Sequence, residues 1–537
     1  MKRFSMIFKA PAWGLFALGL WLGAAQAERP PAVAVASAHP LATASGIAIL
    51  QSGGNAFDAA VTVSAVLAVV EPYGSGMGGG GFWLLHRTAD AREVMIDGRE
   101  RAPLAATRDM YLDAQGEPVP GLSIDGPLAA GIPGQPAALV HIAEHYGRLP
   151  LHVTLAPAIR LAREGFEVDA NYRRMAGFRL QALRDSPAAA QQFLVDGELP
   201  PLGHRLRQPD LADTLEAIAR HGFDGFYRGE VARRLVEGTR QAGGIWTLQD
   251  LAQYEVVERP PVVGYFRGHR VVSAAPPSSG GVVLVQMLNM LQQVRLQNYA
   301  SADQVHLMVE AMRRAYEDRA LYLGDPDFVT LPVDELVAPA YAAQRVRDID
   351  IHKAGVSRPM QDAAAPKGED TTHFSILDRE GNRVAATLSI NYPFGAGFVP
   401  PGTGVLLNDE MDDFSIKPGT PNVYGLVGNE ANAIAPGKRM LSSMSPTFVE
   451  SAERVAILGT PGGSRIISML LIGTQQVVQE APVERWVGRA RFHHQYLPDL
   501  VQYEPGALSD ATRENLLRKG HELKALDSPY GNMQAIL

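Results

Sequence analysis

The spacing of apolar residues changes at Thr371, and this change constrains the fold more than any other feature of the sequence. Ahead of it, the middle third of the chain repeats at helical intervals. One helical stripe there consists of Val305, Met308, Val309, Met312 and Tyr316. From Thr371 onward, short runs alternate with period two: "THFSIL", "RVAATLSIN", "TGVLLN" and "RVAILG". Residues 362–370, "DAAAPKGED", have linker composition. The pattern therefore predicts helices before this linker and β-sheet after it.

The first two of these runs predict a β-hairpin. Alternation places their apolar residues on one face and their hydroxyl-bearing residues on the other. Because both strands must bury the same face, a turn over residues 378–382 sets Thr371 opposite Ser389. Directly opposed residues have Cβ atoms about 4.5–5.5 Å apart, within reach of a hydroxyl–hydroxyl hydrogen bond. The result is a polar ledge of Thr371, Ser389 and Asn391, which is either a reactive site or the ordinary water-facing side of a sheet.

The amino-acid composition limits the partners and the catalytic groups that the chain can have. The chain has 537 residues, 46% hydrophobic and 20% charged, which is typical of a globular protein with a large core. Its formal net charge of -8 offers no basic face for phosphates, so we expect no nucleic-acid partner. The lack of cysteine excludes disulfides, thiol nucleophiles and thiolate metal sites. Covalent catalysis would need a hydroxyl, an amine, a carboxylate or a histidine.

The first 27 residues have the features of a secretory signal peptide. A basic start and an apolar run precede Ala25-Gln26-Ala27, which matches a small-x-small cleavage site. An uncleaved membrane anchor is the alternative, but the apolar run is short for a span and contains Pro11. No later segment has the composition of a membrane span. We expect cleavage before Glu28 and a periplasmic or secreted protein with no stable membrane span.

Two stretches of the early mature chain predict buried elements. In "SGGNAFDAAVTVSAVLAVVEP", Asn55 is a helix N-cap, and the helix is apolar on nearly every side up to Pro72. In "GSGMGGGGFWLL", which follows, Gly74, Gly76 and Gly79 match the G-x-G-x-x-G spacing of dinucleotide-binding loops. These glycines follow a helix and precede a strand, the reverse of the order in such loops. They predict a backbone packed too closely for side chains.

Two histidine patterns are candidates for a metal site. His141, Glu144 and His145 match H-x-x-E-H, in which two histidines one turn apart bind zinc. The segment ends as a helix C-terminus does, where histidines are favourable for the helix dipole, so we interpret it as a surface helix. His493 and His494 are adjacent and would point to opposite faces of a strand. We therefore expect no metal and no organic cofactor.

Several motifs together resemble the γ-glutamyltransferase (γ-glutamyltranspeptidase) family of N-terminal-nucleophile hydrolases. They are "DTTHFSILD", "GVLLNDEMDDFS", "PNVYGLVG", "KRMLSSMSPT" and "GTPGGSRI". The resemblance extends from "GGNAFDAA" through "PPSSGG" and "LGDPDF" to "ARFHHQYLPD", nearly the whole mature chain. It implies an α+β fold, a four-layer αββα sandwich of two stacked antiparallel sheets flanked by helices.

The resemblance implies that the precursor cuts itself at Asp370-Thr371. Residues 28–370 would form a large subunit and residues 371–537 a small one, both in one intertwined domain. The Thr371 hydroxyl would attack the Asp370 carbonyl in an N-to-O acyl shift, and water would resolve the ester. The freed α-amine, with a reference pKa of about 7.7–8.0, would then act as the base for the same hydroxyl. Ser389, at a position where the family commonly has threonine, would orient that hydroxyl.

The resemblance also assigns a site for γ-glutamyl donors such as glutathione, with amino acids, peptides or water as acceptors. Arg99 matches the arginine that binds the substrate α-carboxylate, and Ser442 and Ser443 match its hydroxyl donors. The residues that match the α-ammonium site are Asn391, Glu410 and Asp413.

The remaining assignments concern the transition state and a lid. The backbone N–H groups of Gly462 and Gly463 match the oxyanion hole, and Tyr424 matches a lid residue over the pocket. Asp409 adds an acid where the family frequently has asparagine, and we expect it to alter affinity for the α-ammonium group. Family members usually continue beyond the position of Leu537 through another strand pair.

Two other functions are open. A glutaryl-type (cephalosporin) acylase of the same fold would use the same nucleophile, but a glutaryl group lacks the amine that Glu410 and Asp413 would neutralise, and buried unpaired carboxylates are costly. A non-catalytic exported protein that binds γ-glutamyl peptides would remain a single uncut chain.

Overall fold

The computed structural model describes residues 30–358 and 371–537, and the structural statements below refer to these ranges. The expected signal peptide, residues 1–27, lies outside them. So does Asp370, on one side of the expected cleavage bond.

The strands of the described ranges are β1 (Ala34–Ser37), β2 (Gly80–Arg87), β3 (Arg92–Gly98), β4 (Phe166–Glu167), β5 (Arg205–Leu206), β6 (Val257–Arg259), β7 (Val262–Phe266), β8 (His269–Ser273), β9 (Thr372–Leu377), β10 (Arg383–Ser389), β11 (Thr447–Glu450), β12 (Val455–Gly459), β13 (Phe492–His493), β14 (Val501–Tyr503), β15 (Leu523–Ala525) and β16 (Gln534–Ile536).

The helices are α1 (Pro40–Gln51), α2 (Ala56–Val70), α3 (Gln135–His145), α4 (Leu151–Glu164), α5 (Ala170–Phe178), α6 (Leu180–Asp185), α7 (Pro187–Phe193), α8 (Pro209–His221), α9 (Asp224–Tyr227), α10 (Gly229–Gln241), α11 (Leu248–Ala252), α12 (Gly280–Gln293), α13 (Ser301–Tyr322), α14 (Val333–Leu336), α15 (Pro339–Arg345), α16 (Ile466–Val478), α17 (Val483–Gly488) and α18 (Asp510–Arg518). Within residues 30–358 and 371–537, none of them combines the length and apolarity needed to cross a bilayer.

Two antiparallel sheets form the centre of the fold. The six-stranded sheet has the order β1-β9-β10-β2-β3-β6, and the five-stranded sheet has the order β16-β12-β11-β8-β7. Helices α1 to α4 pack on the outer side of the first sheet, and α12, α13 and α16 on the outer side of the second. Apolar side chains that include Leu84, Ala385 and Ile457 fill the space between the sheets. These layers confirm the predicted αββα sandwich.

Both sheets combine strands from the two sides of the linker. The β9–β10 hairpin lies between β1 and β2 in the first sheet. In the second sheet, β16, β12 and β11 join β8 and β7 through the β11–β8 pair. Sheet after the linker is therefore as predicted, but the earlier part of the chain also supplies strands. The helical spacing of the middle third marks the outer layer that covers the second sheet.

The β9–β10 hairpin has the predicted register. Thr372 pairs with Leu388 and Ile376 with Val384, and the turn between the strands covers residues 378–382. Continuing this register by one residue places Thr371 opposite Ser389. The polar face does not meet water: His373, Ser375 and Thr387 are fully buried, and Ser375 Oγ donates to the carbonyl of Ile457 on β12, 3.2 Å away. The water-facing interpretation of this face is therefore wrong, because the second sheet covers it.

Helix α2 and the glycine run behind it form the packed support of this hairpin. All residues of α2 are buried, and Asn55 is its N-cap, as the sequence predicts. The structure adds a capping box between Asn55 and Asp58. A Cβ atom on Gly79 would lie 2.2 Å from the carbonyl oxygen of Ser389, and one on Gly78 would lie 2.0 Å from that of Leu406. Close backbone packing is therefore confirmed at Gly79, whereas a Cβ atom on Gly74 or Gly76 would make only ordinary contacts at 3.5 Å.

Candidate active site

Thr371 lines a pocket of about 290 Å³. Other predicted site residues converge on this pocket from widely separated parts of the chain. They are Arg99, Ser389, Asn391, Glu410, Asp413, Tyr424, Ser442, Ser443 and Gly463. Gly462 precedes Gly463 but does not line the pocket itself. Most of the residues predicted from the sequence therefore line one pocket.

Ser389 and Asn391 hold the floor of the pocket beside Thr371. Asn391 adopts a left-handed backbone conformation with φ of 72°, which asparagine tolerates better than most residues. That turn lets its own N–H donate to Ser389 Oγ at 2.8 Å, while its Nδ2 donates to the carbonyl of Asp409 at 3.0 Å. The Ser389 hydroxyl also hydrogen-bonds to the Glu410 carboxyl group and acts to lower the pKa of Glu410, so Ser389 links Asn391 to the charged part of the pocket.

Glu71 lies next to the Thr371–Thr372 segment and is not among the site residues predicted from the sequence. Thr372 Oγ1 donates to Glu71 Oε2 at 2.7 Å. Burial raises the pKa of Glu71 to about 7, although hydrogen bonds from Thr372 and Tyr73 act in the opposite direction. A Cβ on Gly74 would lie 3.5 Å from the Thr371 carbonyl oxygen, so the turn after α2 packs against the Thr371–Thr372 peptide. The available signal was a carboxylate directly after an almost entirely apolar helix.

One wall of the pocket carries three charged side chains that pair with one another. Arg99 Nη1 lies 2.5 Å from Glu410 Oε2, and Arg99 Nη2 lies 2.6 Å from Asp413 Oδ2. Burial raises the pKa of Glu410 to about 7, and Arg99 partly offsets this effect. Burial acts to lower the pKa of Arg99, but Glu410, Glu100 and Asp413 together raise it above its ordinary value. The wall thus contains both signs of charge.

The opposite wall contains Ser442 and Ser443, held by the "PPSSGG" segment. Ser278 and Ser442 form a parallel β-bridge, and Ser442 N–H donates to the carbonyl of Pro277 at 2.8 Å. The Ser279 hydroxyl donates to the Ser442 carbonyl, also at 2.8 Å. The carbonyl oxygens of this wall are therefore engaged in the scaffold, which leaves the serine side chains at the pocket surface.

Gly462 and Gly463 turn the chain into a helix. Their φ angles are 135° and 54°, values that favour glycine, and a 3-10 turn (Gly463–Arg465) leads directly into α16. Within the described residues, neither N–H has a hydrogen-bond acceptor. Two free N–H groups at a helix start are suited to stabilising negative charge.

Tyr424 covers the pocket from above Gly463. A Cβ added to Gly463 would lie 2.5 Å from the Tyr424 ring, and the Tyr424 hydroxyl donates to the Asn391 carbonyl at 2.7 Å. Asn422, in the same loop, donates to Asp413 Oδ1 at 3.0 Å. The loop predicted as a lid therefore contacts three of the predicted site residues.

Comparison with known proteins identifies the family. The family described as "Gamma-glutamyltranspeptidase" matches residues 42–537. The chain belongs to this family. It is 44% identical over 513 residues, 94% of its length, to the "Glutathione hydrolase proenzyme" of Pseudomonas sp. (strain A14) and to that of Escherichia coli (strain K12), covering 88% and 87% of them. A crystal structure of cephalosporin acylase from Bacillus halodurans matches with a TM-score of 0.81 and 26% identity, over 99% of this chain and 97% of that one.

The chain is thus an enzyme, a γ-glutamyltransferase and glutathione hydrolase with the N-terminal-nucleophile hydrolase fold, made as a self-processing proenzyme. This outcome confirms the resemblance and sets aside a non-catalytic binding protein.

Asp409 does not face the pocket of this γ-glutamyltransferase. Its Oδ1 accepts from the Tyr392 N–H at 2.9 Å, and burial raises its pKa well above the ordinary value. Burial therefore favours the neutral form of this carboxyl group. The expectation that Asp409 alters affinity for the α-ammonium group has no direct contact to support it.

The H-x-x-E-H residues are on a partly exposed helix, as expected. His141 Nε2 pairs with Glu258 Oε1 at 2.9 Å, His145 Nδ1 bonds to the His141 carbonyl, and Glu144 is exposed. His493 and His494 are both buried and engaged with Ser468 and Asp499, respectively.

A second cluster with metal-ligand chemistry lies outside the pocket. Atoms of His306, Glu310 and His521 lie within 4.8 Å of one another. His306 Nδ1 and His521 Nε2 share a hydrogen bond of 2.7 Å, and Glu310 pairs with Arg313 and Arg314. Because two guanidinium groups already neutralise its one carboxylate, hydrogen bonds and ion pairs account for this cluster.

Proposed function

We propose that Thr371 is the nucleophile with which this γ-glutamyltransferase cleaves the γ-glutamyl bond of glutathione and related compounds, after self-cleavage at Asp370-Thr371. The observation that supports this most is the single pocket shared by Thr371, the charged wall, the serine wall and Gly463. Residues 28–370 and 371–537 would then be the two subunits, and the mature enzyme would be periplasmic or secreted.

The proposed reaction uses the new N-terminus as its base. The α-amine of Thr371 takes the proton of Thr371 Oγ1 as that oxygen attacks the γ-carbonyl carbon. The tetrahedral intermediate collapses when the amine returns the proton to the departing nitrogen, which leaves a γ-glutamyl ester on Thr371. Water or the amine of an amino acid or peptide then attacks the ester and restores the free hydroxyl. Ser389, which faces Thr371 when the hairpin register is continued by one residue, would orient the attacking oxygen.

Substrate recognition in this proposal depends on an exchange of ion pairs. Arg99 bonds to Glu410 and Asp413, the two acids expected at the substrate's α-ammonium group. A γ-glutamyl group carries an ammonium and a carboxylate on the same carbon, so it can pair with both acids and with Arg99 at once. Such an exchange keeps every buried charge paired, which favours a zwitterion over an acyl group with one charge.

Negative charge on the carbonyl oxygen would be stabilised by the N–H groups of Gly462 and Gly463. They are fixed by backbone geometry before the reaction, and removal of one such donor typically costs about 2.7–4 kcal/mol of barrier. Tyr424 packs on Gly463, which supports a role in excluding water from this position.

The first test is Thr371→Ala. We expect the variant to remain one chain and to lack γ-glutamyl transfer and hydrolysis, because it has no hydroxyl for either step. N-terminal sequencing of the small fragment of the unmodified enzyme should give Thr-Thr-His. Thr387→Ala, at a buried threonine of the same hairpin, is the matched control and should still be cut. Cleavage of Thr371→Ala at the same bond would refute the assignment.

An acylase activity is the second candidate, favoured by the similarity to a cephalosporin acylase. Glu410 and Asp413 oppose it, because a glutaryl group offers no ammonium to either acid. We expect kcat/KM for γ-glutamyl-p-nitroanilide to exceed that for glutaryl-p-nitroanilide by at least about tenfold, the value of one charge-assisted contact. Preferential turnover of the glutaryl compound would establish the acylase instead.

A further inference from the structure

Arg319 is a buried cation beside the serine wall, and no acid is paired with it. The residue is 5% exposed and lies on α13. No Asp or Glu within residues 30–358 and 371–537 forms an ion pair with its guanidinium group. Asp413 attracts it electrostatically, but Asp413 Oδ2 is already paired with Arg99. Arg313 and Arg314 on the same helix differ, since both pair with Glu310. A buried charge without a counter-ion is costly unless a ligand supplies one.

The nitrogens of Arg319 hold both residues of the serine wall. Nε donates to Ser279 Oγ at 3.0 Å, and Ser279 Oγ in turn donates to the Ser442 carbonyl. Nη2 lies 3.4 Å from Ser443 Oγ and donates to it. Because Ser443 Oγ accepts from this cation, its own proton is free to point into the pocket. A hydroxyl that accepts from a cation is also a stronger donor to an anion.

The charges around the pocket also favour the binding of an anion at Ser443. Arg99 forms ion pairs with Glu100, Glu410 and Asp413, so its positive charge is already taken up by acids of the protein. Arg319 is the arginine next to Ser443 that has no such match. An anion held by Ser443 would therefore gain both a polarised hydroxyl donor and a nearby unpaired cation.

We propose that Arg319 is a positioning residue that sets specificity for donors with a free α-carboxylate. It orients and polarises Ser443 and holds Ser442 through Ser279, so the serine wall binds a carboxylate well and an ester poorly. This inference rests on the proposed function, because it assigns the serine wall to the α-carboxylate of the γ-glutamyl donor.

The experiment compares two donors, γ-glutamyl-p-nitroanilide and its α-methyl ester, in the processed enzyme and in two variants. The readout is the ratio of kcat/KM for the acid to kcat/KM for the ester. Arg319→Gln removes the charge, and we expect the ratio to fall at least about tenfold, the usual effect of losing a hydrogen bond to a charged group. Arg319→Lys keeps the charge but cannot reach both serines, and we expect a smaller fall of about threefold.

Arg313→Gln is the matched control, since it removes a buried arginine of the same helix that does not contact the serine wall. Its ratio should equal that of the unmodified enzyme. A merely structural role for Arg319 would lower kcat/KM for both donors equally and leave the ratio unchanged, which would overturn the inference. If Arg319→Gln does not fold, Arg319→Lys decides alone, and an unchanged ratio again overturns it. Failure of the unmodified enzyme to use either donor would instead contradict the proposed function.

Discussion

Glu71 shows how one buried carboxyl group connects strand β9 to the rest of the fold. It accepts from Thr372 and follows directly after α2, whose residues are otherwise buried and almost entirely apolar. Water cannot solvate its charge there, so burial raises the pKa of Glu71 to about 7. Its ionisation is therefore a source of pH-dependent stability within the physiological range.

Glu71→Gln is expected to flatten the loss of stability at rising pH. Because the folded pKa of Glu71 exceeds the unfolded value of about 4.3, its stabilising contribution is complete below that value and is lost as pH rises through about 7. Between pH 4.5 and 8 the unmodified enzyme should lose up to about 3 kcal/mol more unfolding free energy than the variant. Urea unfolding at both pH values measures the difference.

The matched control is Glu144→Gln, on the exposed side of α3, which should follow the pH dependence of the unmodified enzyme. Parallel curves for Glu71→Gln and the unmodified enzyme would contradict the assigned role. Processing of every sample should be checked on a denaturing gel, because Glu71 lies close to the expected cleavage bond.

At the scale of elements, the spacing of apolar residues along the chain predicted the features that depend on neighbouring residues alone. Period two gave the β9–β10 register because only one pairing lets both strands bury their apolar residues. It could not show that the polar face is buried too, because the covering strands β12 and β16 lie far away in sequence. The same limit applies to β1, which pairs with β9 across more than half of the chain.

Helix α13 illustrates a signal that was present but could not be interpreted alone. Arg319 stands seven residues after Met312, where the apolar stripe would continue, so the helix places a cation on its buried side. Periodicity identifies such a residue as unusual. It does not give the partner, because Ser279 and Ser443 reach Arg319 only through packing of distant segments. Arg313 and Arg314, off the stripe, are buried as well, through ion pairs with Glu310.

For the whole molecule, the interleaved sheets predict that self-cleavage does not separate the fragments. The β9–β10 hairpin is flanked by β1 on one side and β2 on the other, both from the earlier part of the chain, and β11 pairs with β8 in the other sheet. We expect the processed enzyme to elute from a native size-exclusion column as one particle, at the volume of uncut Thr371→Ala. Both fragments should appear separately only after denaturation. A small fragment eluting alone in native buffer would contradict one shared domain.

The burial of β9 also affects how an N-terminus at Thr371, formed by the proposed cleavage, would resist proteolysis. Thr371 is partly exposed, but the five residues that follow it, Thr372 to Ile376, are all buried in the central strand. An aminopeptidase needs several residues of extended, accessible chain, and here it would have to pull a strand out of the middle of a sheet. Trimming by such enzymes would therefore be blocked, and an N-terminus formed at Thr371 by the proposed cleavage would outlast the exposed ends of ordinary digested proteins.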